Sequence, residues 1–235
     1  KMLSTKVNKI CVAYDGMERF FPADKIMKTG NPVRQNIVNS EISHDEAVKA
    51  FGLDPSKKTI LIVGGSLGAR TVNESVLKHL DDIKESGVQF IWQTGKYYNA
   101  KIMQTMESHK DMPMLKVLDF IADMGAAYKA ADLVISRAGA SSISEFCLIG
   151  KPVILVPSPN VAEDHQTKNA MALVNKDAAL MVRDADARDK VIQLALDTVK
   201  DEGKLHSLAE NVKELGLPDS ADIIADEVLK LAERK

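Results

Sequence analysis

From residue 43 onward the apolar positions fall into two alternating rhythms. Short unbroken apolar runs, each followed by a polar or glycine-rich break, predict strands at 59–63, 88–93, 115–119, 132–136, 153–156 and 178–182. Runs without a polar alternate suit strands covered on both faces, as in a parallel sheet. Between them the apolar residues recur at helical spacing. Val72, Val76, Leu77 and Leu80 share one side of a single helix, and Ile192, Ala195, Leu196 and Val199 share one side of another. The second of these is predicted at 186–200, and further helices at 97–108, 123–131, 141–149, 164–175, 203–214 and 219–234. Ahead of the first strand, Ser43-His44-Asp45-Glu46 reads as a capping box before Ala47, Val48 and Phe51, with Gly52 closing that helix. Strands alternating with helices predict an α/β fold, a Rossmann-like doubly wound parallel sheet.

The first 30 residues follow neither rhythm. Lys9 to Tyr14 and Asp24 to Lys28 read as two strands around Asp15-Gly16 and Phe20-Phe21-Pro22, with Gly30-Asn31-Pro32 as punctuation. They are either the last strands of a preceding domain or a hairpin packed on the main one. The expected division is therefore a remnant and linker at 1–30 and one domain at 31–235.

Composition narrows the classes. With 45% apolar residues, 27% charged residues and a net charge of −2, the chain is an ordinary globular one, and no basic block argues for nucleic acid. No apolar run approaches the roughly 20 residues of a membrane span. Cys11 and Cys147 lie far apart and follow no ligand spacing, so reduced thiols in a cytosolic protein are expected.

Chemistry in such sheets collects just after the strands. The run Thr59-Ile60-Leu61-Ile62-Val63 ends in Gly64-Gly65-Ser66-Leu67-Gly68 before a helix. Glycines there permit a tight turn, and the unpaired N–H groups of the helix start attract an anion such as a phosphate. It is not the dinucleotide fingerprint: G-x-G-x-x-G does not fit, and the next strand ends in Gln93-Thr94-Gly95 without a ribose-binding acid. After the fourth strand, Ser136-Arg137-Ala138-Gly139-Ala140-Ser141-Ser142 opens a second anion seat, and Glu145 stands one turn inside its helix. Glu145 either binds a vicinal diol or completes a capping box with Ser142. In the next loop Gln166 and Asn169 can bond sugar hydroxyls, and His165 is either a base or a capping residue. Asp184-Ala185-Asp186 spells a metal-binding D-x-D, yet it precedes an amphipathic helix, so N-capping by Asp184 and no metal are expected.

Together Gly30-Asn31-Pro32-Val33-Arg34, the glycine turn through Arg70, Phe120-Ile121, Ser136 to Ala140, Ser144-Glu145 and Asp164 to Ala170 resemble the MurG family. These are the UDP-N-acetylglucosamine–N-acetylmuramyl-(pentapeptide) pyrophosphoryl-undecaprenol N-acetylglucosaminyltransferases. The resemblance runs from about residue 30 to the C-terminus, with its motifs in order. It implies the C-terminal, donor-binding half of a GT-B glycosyltransferase. Carried over by motif, Arg34 and the main chain of Ile121 would meet the nucleotide, and Ser66 the diphosphate. Ala140, Ser141, Ser142, Ile143 and Ser144 would line the nucleotide and phosphates, Glu145 would bind the ribose, and Gln166 would hold the N-acetylglucosamine. The chemistry implied is inverting transfer without metal or cofactor. Lipid I would be bound, and the general base supplied, by an N-terminal domain, so no catalytic residue is expected here and the chain alone should be inactive. The family also implies a cytoplasmic enzyme peripheral on the bacterial inner membrane, with no insertion by this chain. Two alternatives are a UDP-N-acetylglucosamine 2-epimerase-like enzyme and a donor-binding subunit that needs a separate acceptor or membrane partner.

Overall fold

A computed structural model describes residues 4–13 and 16–233. The expected strand residue Tyr14, the turn residue Asp15 and the helix-end residue Arg234 lie outside the described residues. The chain begins with β1 (Ile10–Val12) and β2 (Ile26–Lys28), followed by α1 (Gln35–Val38) and α2 (His44–Ala50). β1 and β2 pair in parallel, Cys11 opposite Met27. Parallel pairing rules out the hairpin alternative, because two short 3-10 turns at Met17–Arg19 and Ala23–Lys25 carry the chain back to the same end. They also take Asp24 out of the second strand, which starts at Ile26.

The main domain continues β3 (Thr59–Val63), α3 (Arg70–Lys78), α4 (Leu80–Glu85), β4 (Gln89–Gln93), α5 (Asn99–Met106), β5 (Leu115–Leu118), α6 (Met124–Ala130) and β6 (Leu133–Ser136). It finishes with α7 (Ala140–Ile149), β7 (Val153–Leu155), α8 (His165–Val174), β8 (Leu180–Met181), α9 (Asp184–Lys200), α10 (Glu202–Lys213) and α11 (Ser220–Glu233). The helix expected through Leu80 is two helices. It breaks at His79, which leaves helical geometry (φ −112°, ψ 27°) while its ring pairs with Asp82 at 2.6 Å. The capping box at Ser43 forms as expected: the Glu46 N–H donates to Ser43 Oγ at 3.3 Å, and the Ser43 N–H donates to Glu46 Oε2 at 3.0 Å.

The six main strands are all parallel, in the order β5-β4-β3-β6-β7-β8. β3 and β4 are buried along their whole length, the reason for their unbroken apolar runs. Alternate side chains feed two cores. Ile60, Ile62, Phe90 and Trp92 pack on one face with residues of α3, α4, α5 and α9. Leu61, Val63, Ile91 and Val134 pack on the other with residues of α2, α6, α7 and α8. Strand order reverses between β3 and β6, and their register sets Val63 beside Ser136. The loops that follow, at Gly64 and Arg137, therefore leave the sheet side by side at its switch point.

Candidate functional site

A cleft of about 980 Å³ opens at that point. Its floor is the glycine turn. Gly65 and Gly68 take positive φ (84° and 87°), and a side chain at Gly68 would overlap the Thr94 carbonyl. Gly95 presses on Gly68 from the adjoining loop, so the turns after β3 and β4 meet backbone to backbone. Asn73 locks this arrangement: its amide donates to the Thr94 carbonyl at 2.8 Å and accepts from the Trp92 indole at 2.9 Å. α3 starts from Ala69 and α7 from Gly139, and no side chain caps either. Two helices of nine and ten residues thus bring uncapped N-termini to the carboxyl edge of the sheet, both suited to an anion.

The loop before α7 is held from three sides. Gln166 Oε1 accepts the N–H of Ala138 at 3.2 Å and that of Ser158 at 2.9 Å. Two backbone donors on one oxygen fix the amide's orientation and leave its NH2 group for a ligand. Asn169 donates to the Ala138 carbonyl at 3.2 Å, so this side chain also supports the loop. Arg137 donates to the carbonyls of Val156 at 3.0 Å and Pro157 at 3.4 Å and pairs with Asp184. Asp184 also accepts from Thr71 of α3 at 3.0 Å. One half-buried ion pair therefore ties together the ends of β6 and β7 and the starts of α3 and α9.

That placement corrects the reading of Asp184. The cap of α9 is Arg183, without a side-chain bond, and Asp184 is the first helical residue, turned toward Arg137. Asp186 turns elsewhere, to Arg183 at 2.9 Å and Lys190 at 3.4 Å. The D-x-D carboxylates each serve a protein cation.

Glu145 is likewise not half of a capping box. α7 starts at Ala140, earlier than a Ser142 cap would need. Glu145 Oε2 accepts from the Tyr128 hydroxyl at 2.7 Å, and Oε1 lies 3.7 Å from Arg34 Nη2. Burial above all, and then the Glu145 charge, push the Tyr128 phenol well above its ordinary pKa, so it stays protonated and donates its hydrogen bond to the carboxylate.

Among the residues expected at the site, Arg34, Ser66, Ile121, Ser142, Glu145 and Gln166 border the cleft. Ala140 and Ser141 sit in the first turn of α7 beside it. Two side chains turn away from it. Ile143 is core, 2% exposed. Ser144 donates to the Ala140 carbonyl at 3.0 Å and accepts from Asn31 at 3.0 Å. Any contact those two make with a cleft ligand is through the main chain. His165, exposed at the start of α8, is not among the cleft residues. Before it, Glu163 and Asp164 both adopt left-handed backbone (φ 55° and 51°), strain of a kind concentrated in functional loops. Tyr128, Arg137 and Thr71 also border the cleft, with no role assigned to them from the sequence. Tyr128 had one signal, as the only aromatic in Met124-Gly125-Ala126-Ala127-Tyr128.

A doubly wound sheet with a polar cleft at its switch point is the build of the C-terminal half of a GT-B glycosyltransferase. The sequence profile of the glycosyltransferase family 28 C-terminal domain matches residues 59–224. A transferase of Phocaeicola vulgatus described as UDP-N-acetylglucosamine–N-acetylmuramyl-(pentapeptide) pyrophosphoryl-undecaprenol N-acetylglucosamine transferase is 63% identical over 234 residues, 100% of this chain and 62% of its own. The protein of the same description from Bacteroides fragilis is 60% identical over 235 residues, again 62% of its length. The crystal structure of Acinetobacter baumannii MurG superposes with a TM-score of 0.72 at 27% identity, over 97% of this chain and 62% of that one. The chain belongs to the glycosyltransferase family 28 C-terminal domain family, in its MurG group. It spans a little over three-fifths of the curated relatives it matches. Among the described residues no helix is long and apolar enough to cross a membrane.

Proposed function

We propose that this chain binds the donor, UDP-N-acetylglucosamine, for an inverting N-acetylglucosaminyltransferase that converts lipid I to lipid II on the cytoplasmic face of the bacterial inner membrane. The observation that carries the reading is the convergence of two uncapped helix N-termini and the Arg34–Glu145 pair on one cleft. The diphosphate would sit between the glycine turn and the start of α7, where N–H groups and helix dipoles oppose its charge. The ribose diol would donate to Glu145, uracil would meet the Ile121 main chain, and the Gln166 amide would donate to the sugar.

In this reading the acceptor's 4-hydroxyl attacks the anomeric carbon from the side opposite UDP. The C1–O bond breaks, its electron pair passes to the β-phosphate oxygen, and the hydroxyl proton goes to a general base. Acceptor site and base belong to the portion of the longer relatives that this chain does not span. This chain orients the donor and stabilises the departing UDP through fixed N–H groups. With Asp184 and Asp186 already paired to protein cations, no metal is required at the D-x-D.

Calorimetric titration with UDP, UDP-N-acetylglucosamine, UMP and GDP tests the proposal. UDP and its sugar should bind, UMP more weakly by at least about tenfold through loss of one phosphate, and GDP least. A lipid I analogue added with donor should give no product. Equal binding of all four nucleotides would overturn the donor assignment, and turnover by this chain would overturn the division of labour.

A further inference from the structure

Glu145 is held asymmetrically. One oxygen, Oε2, accepts from a buried phenol at 2.7 Å. The other, Oε1, faces Arg34 at 3.7 Å, and that arginine side chain is 61% exposed while the carboxylate is 13% exposed. The two partners differ in stiffness. Tyr128 is 4% exposed and its ring packs edge-on against Phe146, centroids 5.7 Å apart at 80°. The phenol therefore cannot follow the carboxylate if it swings. Arg34 is a long side chain on the surface, and a ligand can displace it at little cost.

A carboxylate with one oxygen pinned and the other loosely covered is set up to receive donors from one direction. A vicinal diol brings two O–H donors, and its selection depends on the carboxylate plane being fixed before the ligand arrives. Burying the carboxylate without that hydrogen bond would be unfavourable, so the phenol also offsets part of the cost of its burial. Both residues border the cleft.

We propose that Tyr128 is a positioning residue for ribose recognition: its hydroxyl orients the Glu145 carboxylate, and the preference for a ribonucleotide over its dideoxy analogue depends on it. The proposal rests on the donor-site reading above. Tyr128 makes no contact with the diol itself.

The test is a set of calorimetric titrations with UDP and 2′,3′-dideoxyuridine 5′-diphosphate on the wild type, Tyr128→Phe, Glu145→Ala and the double variant. The wild type should prefer UDP, and Glu145→Ala should abolish the preference. Tyr128→Phe, which keeps ring and packing, should weaken UDP roughly three- to tenfold. It should leave dideoxy affinity and stoichiometry unchanged, and the unchanged dideoxy binding doubles as evidence of a folded site. In the double variant the tyrosine change should have no further effect on the UDP-to-dideoxy ratio. If the wild type shows no preference, the donor-site reading falls and the proposal with it. If the preference depends on Glu145 yet survives in Tyr128→Phe, only the proposal is overturned. An equal loss for both ligands in Tyr128→Phe would also overturn it, as the mark of a merely structural role.

Discussion

Replacing Asp184 by alanine separates two accounts of the same residue. As an N-cap it would contribute about 1 kcal/mol through backbone N–H groups, independently of Arg137. In the structure it bonds no helix N–H; it pairs with Arg137 and accepts from Thr71 at 3.0 Å. The two paired side chains are only 16% and 20% exposed, so solvent screens the interaction weakly. A hydrogen bond to a charged group is worth about 1.5–3 kcal/mol, and the guanidinium left behind retains only two carbonyl partners. Asp184→Ala should therefore destabilise by about 2–3 kcal/mol. For a chain of this size that lowers the melting temperature by roughly 5–10 °C. Urea unfolding of Asp184→Ala, Arg137→Ala and the double variant should give a coupling energy above about 1 kcal/mol. Asp186→Ala, whose partners Arg183 and Lys190 are 79% and 67% exposed, should leave the melting curve almost unmoved. Additive losses from Asp184 and Arg137 would refute the clamp and restore the cap.

Two further outcomes follow from the same geometry. Gly68→Ala would drive a methyl into the Thr94 carbonyl at positive φ, whereas Gly65→Ala meets nothing within 4 Å. Thermal melts should show a loss of about 1–2 kcal/mol for Gly65 from backbone strain alone, and clearly more for Gly68; equal losses would contradict the back-to-back turns. Lys151 donates to the Ala131 carbonyl at 2.6 Å, and burial lowers its pKa from 10.5 to about 8, with Asp132 opposing and Lys129 adding to the shift. The unfolded chain keeps that proton up to pH 10.5, so it binds more protons than the folded one between pH 8 and 10.5. Stability should therefore rise across that window by up to about 3 kcal/mol relative to Lys151→Met. Parallel pH profiles for the two proteins would contradict it.

The sheet was legible because its strands are buried on both faces. Thr59–Val63 and Leu133–Ser136 had no polar alternate to blur them, and their parallel direction followed from the alternation with helices. Boundaries governed by local competition were not legible. The break at His79 coincides with a side-chain bond to Asp82, and the parallel pairing of β1 and β2 goes with two short turns that carry no periodicity. At the site, the glycine turn and the small residues before α7 announced themselves through backbone demands that few residue types meet. Asp184 misled, and Glu145 kept two readings open, because an acid near a helix start satisfies the capping pattern whether or not it turns toward the helix. Their partners, Arg137 and Tyr128, lie 47 and 17 residues away, a separation only the folded topology closes.

The claim beneath all of this is that both helix starts hold one diphosphate. A crystal structure of the chain with UDP tests it most directly. The account predicts phosphate oxygens within hydrogen-bonding distance of backbone N–H groups in both the Gly64–Gly68 turn and the first turn of α7, with the ribose hydroxyls on Glu145. A diphosphate seated on one helix start alone, or a UDP bound away from the β3–β6 switch point, would contradict it.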